Sequence, residues 1–263
     1  MEKLLTIAGS DCSGGAGIQA DMKTFIAHNT YAMSVITAIT VQNTLGVVGV
    51  QEIDKEIVKG QIDAVFEDIR PDAVKVGMVS NSEIIKTIVE RLKFHKAENI
   101  VVDPVMVSTS GSSLMNKDAK KALIEELLPI ASVITPNIPE AEVLSGIKIN
   151  DKEDMIKSAE IISKNLNTYI LIKGGHLKTS ADDLLYKNGE YIFIQGDRIN
   201  NENTHGTGCT LSSAIASNLA KGYSMEESIR NSKDYITGAI KENFDLGRGR
   251  GPLNHLYNLK FND

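Results

Sequence analysis

Short apolar runs rich in β-branched residues alternate along this chain with longer amphipathic segments. The short runs predict strands at residues 4–9, 33–41, 72–77, 99–104, 132–136 and 169–175. The amphipathic segments predict helices at residues 54–69, 81–95, 118–130 and 151–166. Each helical segment has apolar residues at helical spacing behind an Asp or Asn that is a candidate N-cap. Strands that are apolar on both faces must be covered on both faces, so the alternation predicts a three-layer α/β/α sandwich with a mostly parallel central sheet.

The pattern changes after residue 180. The stretch "DDLLYKNGEYIFIQGD" has Asn-Gly between two alternating runs, which predicts a hairpin at one edge of the sheet. Two further helices are expected, roughly at residues 207–221 and 224–243. No internal repeat or Pro/Gly/Ser-rich linker divides the chain, so we expect a single domain over residues 1–263.

Composition excludes several classes of partner. The net charge of -6 and the pI near 5.5 argue against binding to nucleic acid or to an anionic membrane surface, because both require a concentrated basic patch. No apolar stretch approaches the ~20 residues that span a bilayer. The only cysteines are Cys12 and Cys209, and the N-terminal segment lacks the features of a signal peptide, so a reducing cytoplasm is expected. There is no CxxC or HExxH pattern, so any metal is expected to be a hard cation on carboxylates.

The segment "THGTGCTLSSAIA" places glycines and a cysteine where an apolar helix begins. Gly206 and Gly208 allow a sharp turn that exposes backbone N–H groups at a helix N-terminus, which is typical of a phosphate cradle. The alternative is an ordinary glycine-rich helix start. A thiol in the first helical turn should have its thiolate form favoured, which makes Cys209 a candidate base or nucleophile rather than a silent buried cysteine.

A second glycine-rich segment, "AGSDCSGGAGIQAD", follows a strand and begins a helix. Gly15, Gly17 and Ala20 loosely fit a dinucleotide-binding fingerprint. The acidic residue that such a site needs at the end of the next strand is absent, because that strand ends in "VQNT". The absence of GK[ST] excludes a P-loop. The glycines suit close approach of a small ligand, with Asp11 and Asp21 either as polar contacts or only as helix caps.

Polar residues collect at the predicted carboxyl ends of the strands, where ligands bind in sheets of this kind. They are Asp11 to Gly17, Gln42, Asn43, Asp103, Asn137 and Lys173 to His176. Asp103 and Glu140 suit Mg²⁺ held through water against a polyphosphate, and Lys173 suits a phosphate or ribose neighbour. The alternative for each of these three residues is a solvated loop position.

Eight segments together resemble a known family over essentially the whole chain. They are "AGSDCSGGAGIQADMKTF", "TAITVQNT", "KVGMVS", "VVDPVMVSTSG", "ITPNIPEAEVLSG", "LIKGGH", "NTHGTGCTLSSAIA" and "GRGRGPLNH". In order and spacing they resemble the hydroxymethylpyrimidine and phosphomethylpyrimidine kinases of thiamine biosynthesis, which belong to the ribokinase-like superfamily.

The resemblance implies the activity and its partners. It implies transfer of the ATP γ-phosphoryl group to the hydroxymethyl of 4-amino-5-hydroxymethyl-2-methylpyrimidine, followed by a second transfer onto the monophosphate. ATP and Mg²⁺ are the implied cofactors, and a homodimer is the implied assembly. Phosphoryl transfer asks the protein mainly for positioning and charge stabilisation, which agrees with the phosphate cradle.

The resemblance also implies roles for individual residues. The implied pyrimidine contacts are Gly9, Asp21, Gln42, Met78 and Val105. The implied catalytic group consists of Cys209, as base or as an orienting hydrogen-bond partner, and of an anion hole formed by Gly206, Thr207 and Gly208. Positions implied to approach ATP are Asn137, Lys173, Thr207 and Lys233. Positions implied to lie near the metal are Asp103 and Glu140, the latter within an Asn-x-x-Glu motif.

Three rival functions remain at this stage. A dehydrogenase requires NAD binding, which the missing ribose acid disfavours. A pyridoxal or pyridoxine kinase has the same fold, but relatives that accept pyridoxal often carry a cysteine in the flap after Asp103, where this chain has Ser108, Thr109 and Ser110. A non-catalytic vitamin-binding protein would not need the intact "HGTGC" segment.

Overall fold

The computed structural model describes residues 1–106, 115–177, 181–201 and 203–259. Its strands are β1 (Lys3–Asp11), β2 (Tyr31–Asn43), β3 (Gly46–Glu52), β4 (Ala73–Val76), β5 (Ile100–Val102), β6 (Val133–Ile134), β7 (Tyr169–Ile172), β8 (Asp183–Lys187) and β9 (Glu190–Ile194). Its α-helices are α1 (Gly17–Ala27), α2 (Lys55–Asp68), α3 (Ser82–Phe94), α4 (Lys117–Ala122), α5 (Ile138–Ser145), α6 (Lys152–Ser163), α7 (Thr207–Ala220) and α8 (Met225–Lys241).

The strands form one sheet in the spatial order β3-β2-β1-β4-β5-β6-β7-β8-β9. The six central strands pair in parallel; they are β2, β1, β4, β5, β6 and β7. The strand β3 at one edge and the strands β8 and β9 at the other edge pair antiparallel. The predicted edge hairpin is β8–β9. Its turn residues Asn188 and Gly189 both have left-handed backbone, with φ of 51° and 90°, as a tight hairpin turn requires.

Both faces of the sheet are buried, as the uniformly apolar strands predict. Successive residues point to opposite faces, so Leu5 joins the core under α2 to α6 while Leu4 joins the core under α1, α7 and α8. This arrangement confirms the predicted three-layer α/β/α sandwich with a mostly parallel central sheet. In the described ranges, no helix is long and apolar enough to cross a membrane.

Three elements differ from the sequence prediction, and one of them, α5, replaces a predicted loop. Strand β3 was not predicted, because it is an edge strand with no buried residue and therefore lacks a periodic burial signal. The helix predicted at residues 118–130 is α-helical only to Ala122, and continues as a π turn over Leu123–Leu127 and a 3₁₀ turn over Leu128–Ile130. Pro129 cannot donate a backbone hydrogen bond, which prevents regular α-helix at that end.

Candidate active site

The N-terminus of α7 lies against the loop that follows β1. Gly206, the N-cap of α7, has a φ of +84°, and a Cβ there would lie 1.9 Å from the carbonyl oxygen of Gly15. Only glycine fits this conformation and this close approach. The two glycine-rich segments therefore form one structure, although they are far apart in the sequence.

The first turn of α7 supplies backbone donors to the site. A helix leaves its first N–H groups without an intrahelical partner. The N–H and hydroxyl of Thr207 both contact the carbonyl oxygen of Thr204, at 3.3 and 3.1 Å. The amides of Gly208 and Cys209 are thus the first-turn donors best placed for an anion, together with the positive end of the helix dipole.

The Cys209 thiol is protonated in the free protein. Burial raises its pKa to about 11. The Lys75 ammonium opposes this shift, as does a hydrogen bond from the Gly17 amide, while the carboxylates of Asp21 and Asp103 reinforce it. The prediction that the helix start makes Cys209 a ready thiolate is therefore wrong, because desolvation outweighs the favourable charges.

Asp21 is enclosed by protein groups. Its carboxylate oxygens lie 2.9 and 2.8 Å from the Lys75 ammonium, and the side chains of both residues have no exposed surface. Hydroxyls of Thr6 and Ser213 donate to the same carboxylate at 2.6 and 2.8 Å. In the structure the Asp21 carboxylate ties β1, β4 and α7 together beneath the site, and its predicted pyrimidine contact stays a prediction.

A second buried ion pair lies at the carboxyl ends of β5 and β7. The Lys173 ammonium is 2.9 Å from Asp103 Oδ1, which also accepts a hydrogen bond from the Thr135 hydroxyl at 3.0 Å. Burial alone would raise the pKa of Asp103, but Lys173 and Lys75 hold it below its ordinary value. A Cβ on Gly208 would lie 3.1 Å from Asp103 Oδ2 and 3.5 Å from Lys173 Nζ, so this pair directly faces the start of α7.

Asn137 and Glu140 form a reciprocal cap at the start of α5. The Asn137 side chain accepts from the Glu140 amide at 2.9 Å, and Glu140 Oε2 accepts from the Asn137 amide at 2.8 Å. A helix thus replaces the loop expected around Glu140, and the carboxyl is buried. Burial raises the pKa of Glu140 to about 7, with Lys173 opposing the shift and Asp103 reinforcing it.

This pKa predicts a pH-dependent stability for the metal-free protein. The ordinary pKa of 4.5 rises to about 7 on folding, so the folded state binds the proton more tightly. The free energy of unfolding should therefore fall by about 3 kcal/mol as the pH rises between these values. Glu140→Gln should remove that fall, measured by urea denaturation at acidic and alkaline pH. Glu67→Gln, on the exposed face of α2, serves as control. Parallel stability curves for parent and Glu140→Gln would contradict this assignment.

The other predicted pyrimidine contacts lie at the ends of β1, β2, β4 and β5. A Cβ on Gly9 would lie 2.8 Å from Met78 Cε, so these two residues are in contact. Gln42 Nε2 lies 3.2 Å from His205 Nε2. Val105 follows β5, and its amide already donates to the Asp103 carbonyl at 2.8 Å. The structure describes no ligand contacts for these residues, so their roles stay predictions.

Lys233 lies on α8 and is bound to the start of β8. Its ammonium pairs with Asp183 Oδ2 at 2.5 Å and donates to the Ala181 carbonyl at 3.1 Å. Asp183 Oδ1 accepts from the Gly174 amide at 2.8 Å. Lys233 therefore supports the loop after Lys173, on the side of the site predicted for ATP. The predicted flap residues Ser108, Thr109 and Ser110 lie outside the described residues.

Two buried groups were missed by sequence reasoning. Lys75 lies in the middle of the apolar strand "DAVKVG", and a lysine there requires a buried partner, so the pattern itself carried a signal. His205 Nε2 lies 2.8 Å from Asp11 Oδ2. Burial alone would raise the pKa of Asp11, but hydrogen bonds from His205 and Ser13 lower it to about 2. The pairing of His205 with Asp11 has no local sequence signal.

Comparisons with known proteins agree with this geometry. The model of the phosphomethylpyrimidine kinase family matches residues 11–254. The hydroxymethylpyrimidine/phosphomethylpyrimidine kinase of Rhizobium meliloti is 49% identical over 257 residues, which cover 96% of each chain. The crystal structure of phosphomethylpyrimidine kinase from Clostridium difficile has a TM-score of 0.82 and 53% identity, covering 91% of this chain and 100% of that one.

A neighbour with a different name shares the fold as well. Pyridoxal kinase from Staphylococcus aureus in complex with ADP has a TM-score of 0.91 and 39% identity, covering 98% of this chain and 95% of that one. The family model spans nearly the whole chain, and the Rhizobium relative is aligned over almost its full length. The chain therefore belongs to the phosphomethylpyrimidine kinase family.

Proposed function

We propose that this protein uses ATP to phosphorylate 4-amino-5-hydroxymethyl-2-methylpyrimidine and then its monophosphate. The observation that carries the proposal is the meeting of three features at one place. The first-turn amides of α7, the Cys209 thiol and the Lys173–Asp103 pair all face the carboxyl edge of the sheet. The first supplies an anion site, the second a partner for a substrate hydroxyl and the third a fixed cation.

The mechanism follows from these positions. The hydroxymethyl oxygen of the substrate attacks the γ-phosphorus of ATP, and the bond from that phosphorus to the ADP oxygen breaks. The amides of Gly208 and Cys209 stabilise charge on the transferred group, and Lys173 adds a positive charge nearby. Because the Cys209 thiol is protonated at rest, we propose that its sulfur orients the substrate hydroxyl. The hydroxyl proton then passes to the transferred phosphoryl group late in the step.

Mg²⁺ is the proposed metal. Among the described residues, no three His, Cys, Asp or Glu side chains are grouped to hold a metal by themselves. Asp103 and Glu140 are buried carboxylates whose charges both act on Lys173, and this hard-oxygen pair fits a cation that is shared with polyphosphate through water. When bound, Mg²⁺ would neutralise charge on the phosphates. Excess EDTA should abolish ADP release, and Mg²⁺ should restore it.

The aminopyrimidine alcohol should be preferred over pyridoxal. The amide of Gln42 offers a donor and an acceptor to an aminopyrimidine edge, and a site built for such pairing penalises a ligand that leaves it unsatisfied. We expect kcat/KM for the aminopyrimidine alcohol to exceed that for pyridoxal by at least ~10-fold, about 1.4 kcal/mol. A coupled ADP-release assay compares the alcohol, its monophosphate and pyridoxal at the same ATP and Mg²⁺ concentrations.

The outcome of that assay also decides between the rival functions. Equal or reversed specificity constants would indicate a pyridoxal kinase, the alternative raised by the high TM-score to the Staphylococcus aureus enzyme. Ligand binding without ADP release would indicate a non-catalytic vitamin-binding protein. We further propose that residues 1–263 act as one domain in the cytoplasm, in keeping with two free cysteines.

A homodimer is the proposed assembly. The β2–β3 hairpin exposes Val41, Leu45 and Val48, which are 60%, 66% and 82% accessible, and several exposed apolar side chains on one hairpin favour a contact with a second copy of the chain. Light scattering should give the mass of a dimer for the parent and of a monomer for Val48→Asp. Ile57→Asp, at a similarly exposed position on α2, should leave the mass unchanged. A parent that is monomeric at all concentrations would refute the proposal.

A further inference from the structure

The side chain of Gln42 belongs to a network of polar groups that joins β2, the end of β1 and the segment before α7. Its Nε2 lies 3.2 Å from His205 Nε2, and its Oε1 lies 3.1 Å from the Thr40 hydroxyl. His205 Nε2 in turn lies 2.8 Å from Asp11 Oδ2. The backbone of Gln42 is held as well, because its amide and carbonyl both contact the Cys12 thiol, at 3.4 and 3.1 Å.

Counting the hydrogens available in this network of polar groups gives a conflict at Gln42. Asp11 is an ionised acceptor, so His205 Nε2 must carry a hydrogen whether the ring holds one proton or two. That nitrogen then cannot accept from the amide nitrogen of Gln42. The Thr40 hydroxyl has one hydrogen, and the Ser10 carbonyl at 2.8 Å is nearer to it than Gln42 Oε1. Thr40 is thus better placed to accept from the Gln42 amide than to donate to it.

Both conflicts ease when the amide is turned by half a revolution about its terminal bond, which exchanges Oε1 and Nε2. Gln42 Oε1 can then share the single Nε2 hydrogen of His205 with Asp11 in a three-centre bond, and Gln42 Nε2 can donate to Thr40. Hydrogen-bond partners are what distinguish these two orientations of a glutamine amide. We propose that His205, held by Asp11, is a positioning residue that keeps Gln42 Oε1 toward the imidazole and Gln42 Nε2 toward Thr40. This inference rests on the proposed function of Gln42 as a substrate contact.

The orientation matters because it fixes the order of donor and acceptor along the free edge of the amide. An aminopyrimidine presents a ring nitrogen acceptor next to an amino donor, and such a pair matches only one order. Pyridoxal has no amino group beside its ring nitrogen, so it leaves one amide atom unpaired. The penalty for an unpaired polar group makes His205 a determinant of specificity.

His205 is well suited to act as a fixed template. Its side chain is buried, and its backbone amide donates to the Gly251 carbonyl at 3.2 Å. A Cβ on Gly15 would lie 2.4 Å from His205 Cδ2, so the ring is packed directly against the glycine-rich loop. Pro252 packs beside the same loop, since its Cβ lies 3.3 Å from that position on Gly15. The ring therefore cannot swing away to accommodate the other amide orientation.

Kinetics on two substrates test the specificity role. His205→Leu should lower the ratio of kcat/KM for the aminopyrimidine alcohol to that for pyridoxal by about 10-fold, chiefly through KM of the alcohol. His205→Gln keeps an N–H at the same reach and should restore the ratio to within about threefold of the parent. In a Gln42→Ala background, His205→Leu should change the ratio by less than about twofold, because the pair acts as a unit.

Either of two kinetic results would overturn the inference. Equal losses for both substrates, or a full effect of His205→Leu without Gln42, would leave His205 with a purely structural role. Neutron diffraction on deuterium-exchanged crystals of the parent provides a readout that is independent of activity and of variant folding. Deuterium on His205 Nε2 and on the Gln42 atom facing Thr40 supports the proposal, whereas deuterium on the Gln42 atom facing His205 refutes it. A parent that phosphorylates neither alcohol would refute the proposed function, while the neutron result would still decide the amide orientation.

Discussion

Cys209→Ala is expected to lower kcat by roughly 10²-fold while KM for the pyrimidine changes by less than about threefold. The thiol lies at the start of α7, where its sulfur can align the substrate hydroxyl with the anion site, and methyl cannot replace that contact. The measurement is steady-state ADP release at saturating ATP and Mg²⁺. A kcat within a few-fold of the parent would remove Cys209 from the chemistry and leave the α7 amides as the main catalytic device.

The pH profile separates the two roles of Cys209. The thiol pKa is about 11, so below that value the thiolate fraction increases about tenfold for each unit that the pH rises. If the thiolate is the base, kcat/KM should rise in the same proportion. An orienting thiol predicts a flat profile in the part of that range above the Glu140 pKa of about 7, where Glu140 has already lost its proton. Cys209→Ser is the matched control, because its hydroxyl orients without becoming an anion and should retain much of kcat only in the orienting case. Cys12→Ala controls for the general loss of a thiol.

Breaking the Asp21–Lys75 pair should produce the largest loss of stability. Lys75→Met leaves the Asp21 carboxylate buried without its counter-ion, and Asp21→Leu leaves the Lys75 ammonium in the same position. Each single change should lower the free energy of unfolding by about 3–5 kcal/mol, measured by urea denaturation. The double variant should recover most of the loss, because two apolar side chains of similar volume need no partner.

A surface pair provides the comparison for this experiment. The Lys3–Asp72 pair has a distance of 3.0 Å and side chains that are 37% and 38% exposed. Lys3→Met should change the free energy of unfolding by less than about 1 kcal/mol, since water solvates the carboxylate that remains. If Lys75→Met were as mild as Lys3→Met, or the double variant as unstable as the sum of the two single ones, the buried pair would not hold β1, β4 and α7 together.

Local patterns predicted the elements well wherever one face or both faces are buried. The helix that begins at Thr207 and the hairpin turn at Asn188 and Gly189 were predicted because capping and turn chemistry are local. Strand β3 was missed because an exposed edge imposes no alternation. The polar residues at the predicted strand ends correctly indicated the carboxyl edge of the sheet, where Asp103, Lys173 and Glu140 lie close together.

Roles that depend on distant partners were not predicted. Asp11 and His205 are 194 residues apart, and the sequence around neither residue indicates the other as its partner. The Cys209 pKa was predicted in the wrong direction because the field of a helix start is local, whereas burial and nearby carboxylates come from the assembled fold. Asp21 was predicted as a ligand contact from its motif, although its partner Lys75 comes from a different strand.

The position of α7 and α8 at the end of the chain has a consequence for synthesis on the ribosome. These helices cover the sheet face that includes Leu4, Val101 and Leu171, with α1 as the other covering helix. Strands β1 to β7 emerge before residue 207, so much of that face stays open to water for most of translation. Exposed apolar sheet surface in a partly made chain attracts chaperones or promotes aggregation. A chain that ends before α7 would therefore lack both the Cys209 thiol and two of the three helices that cover this face.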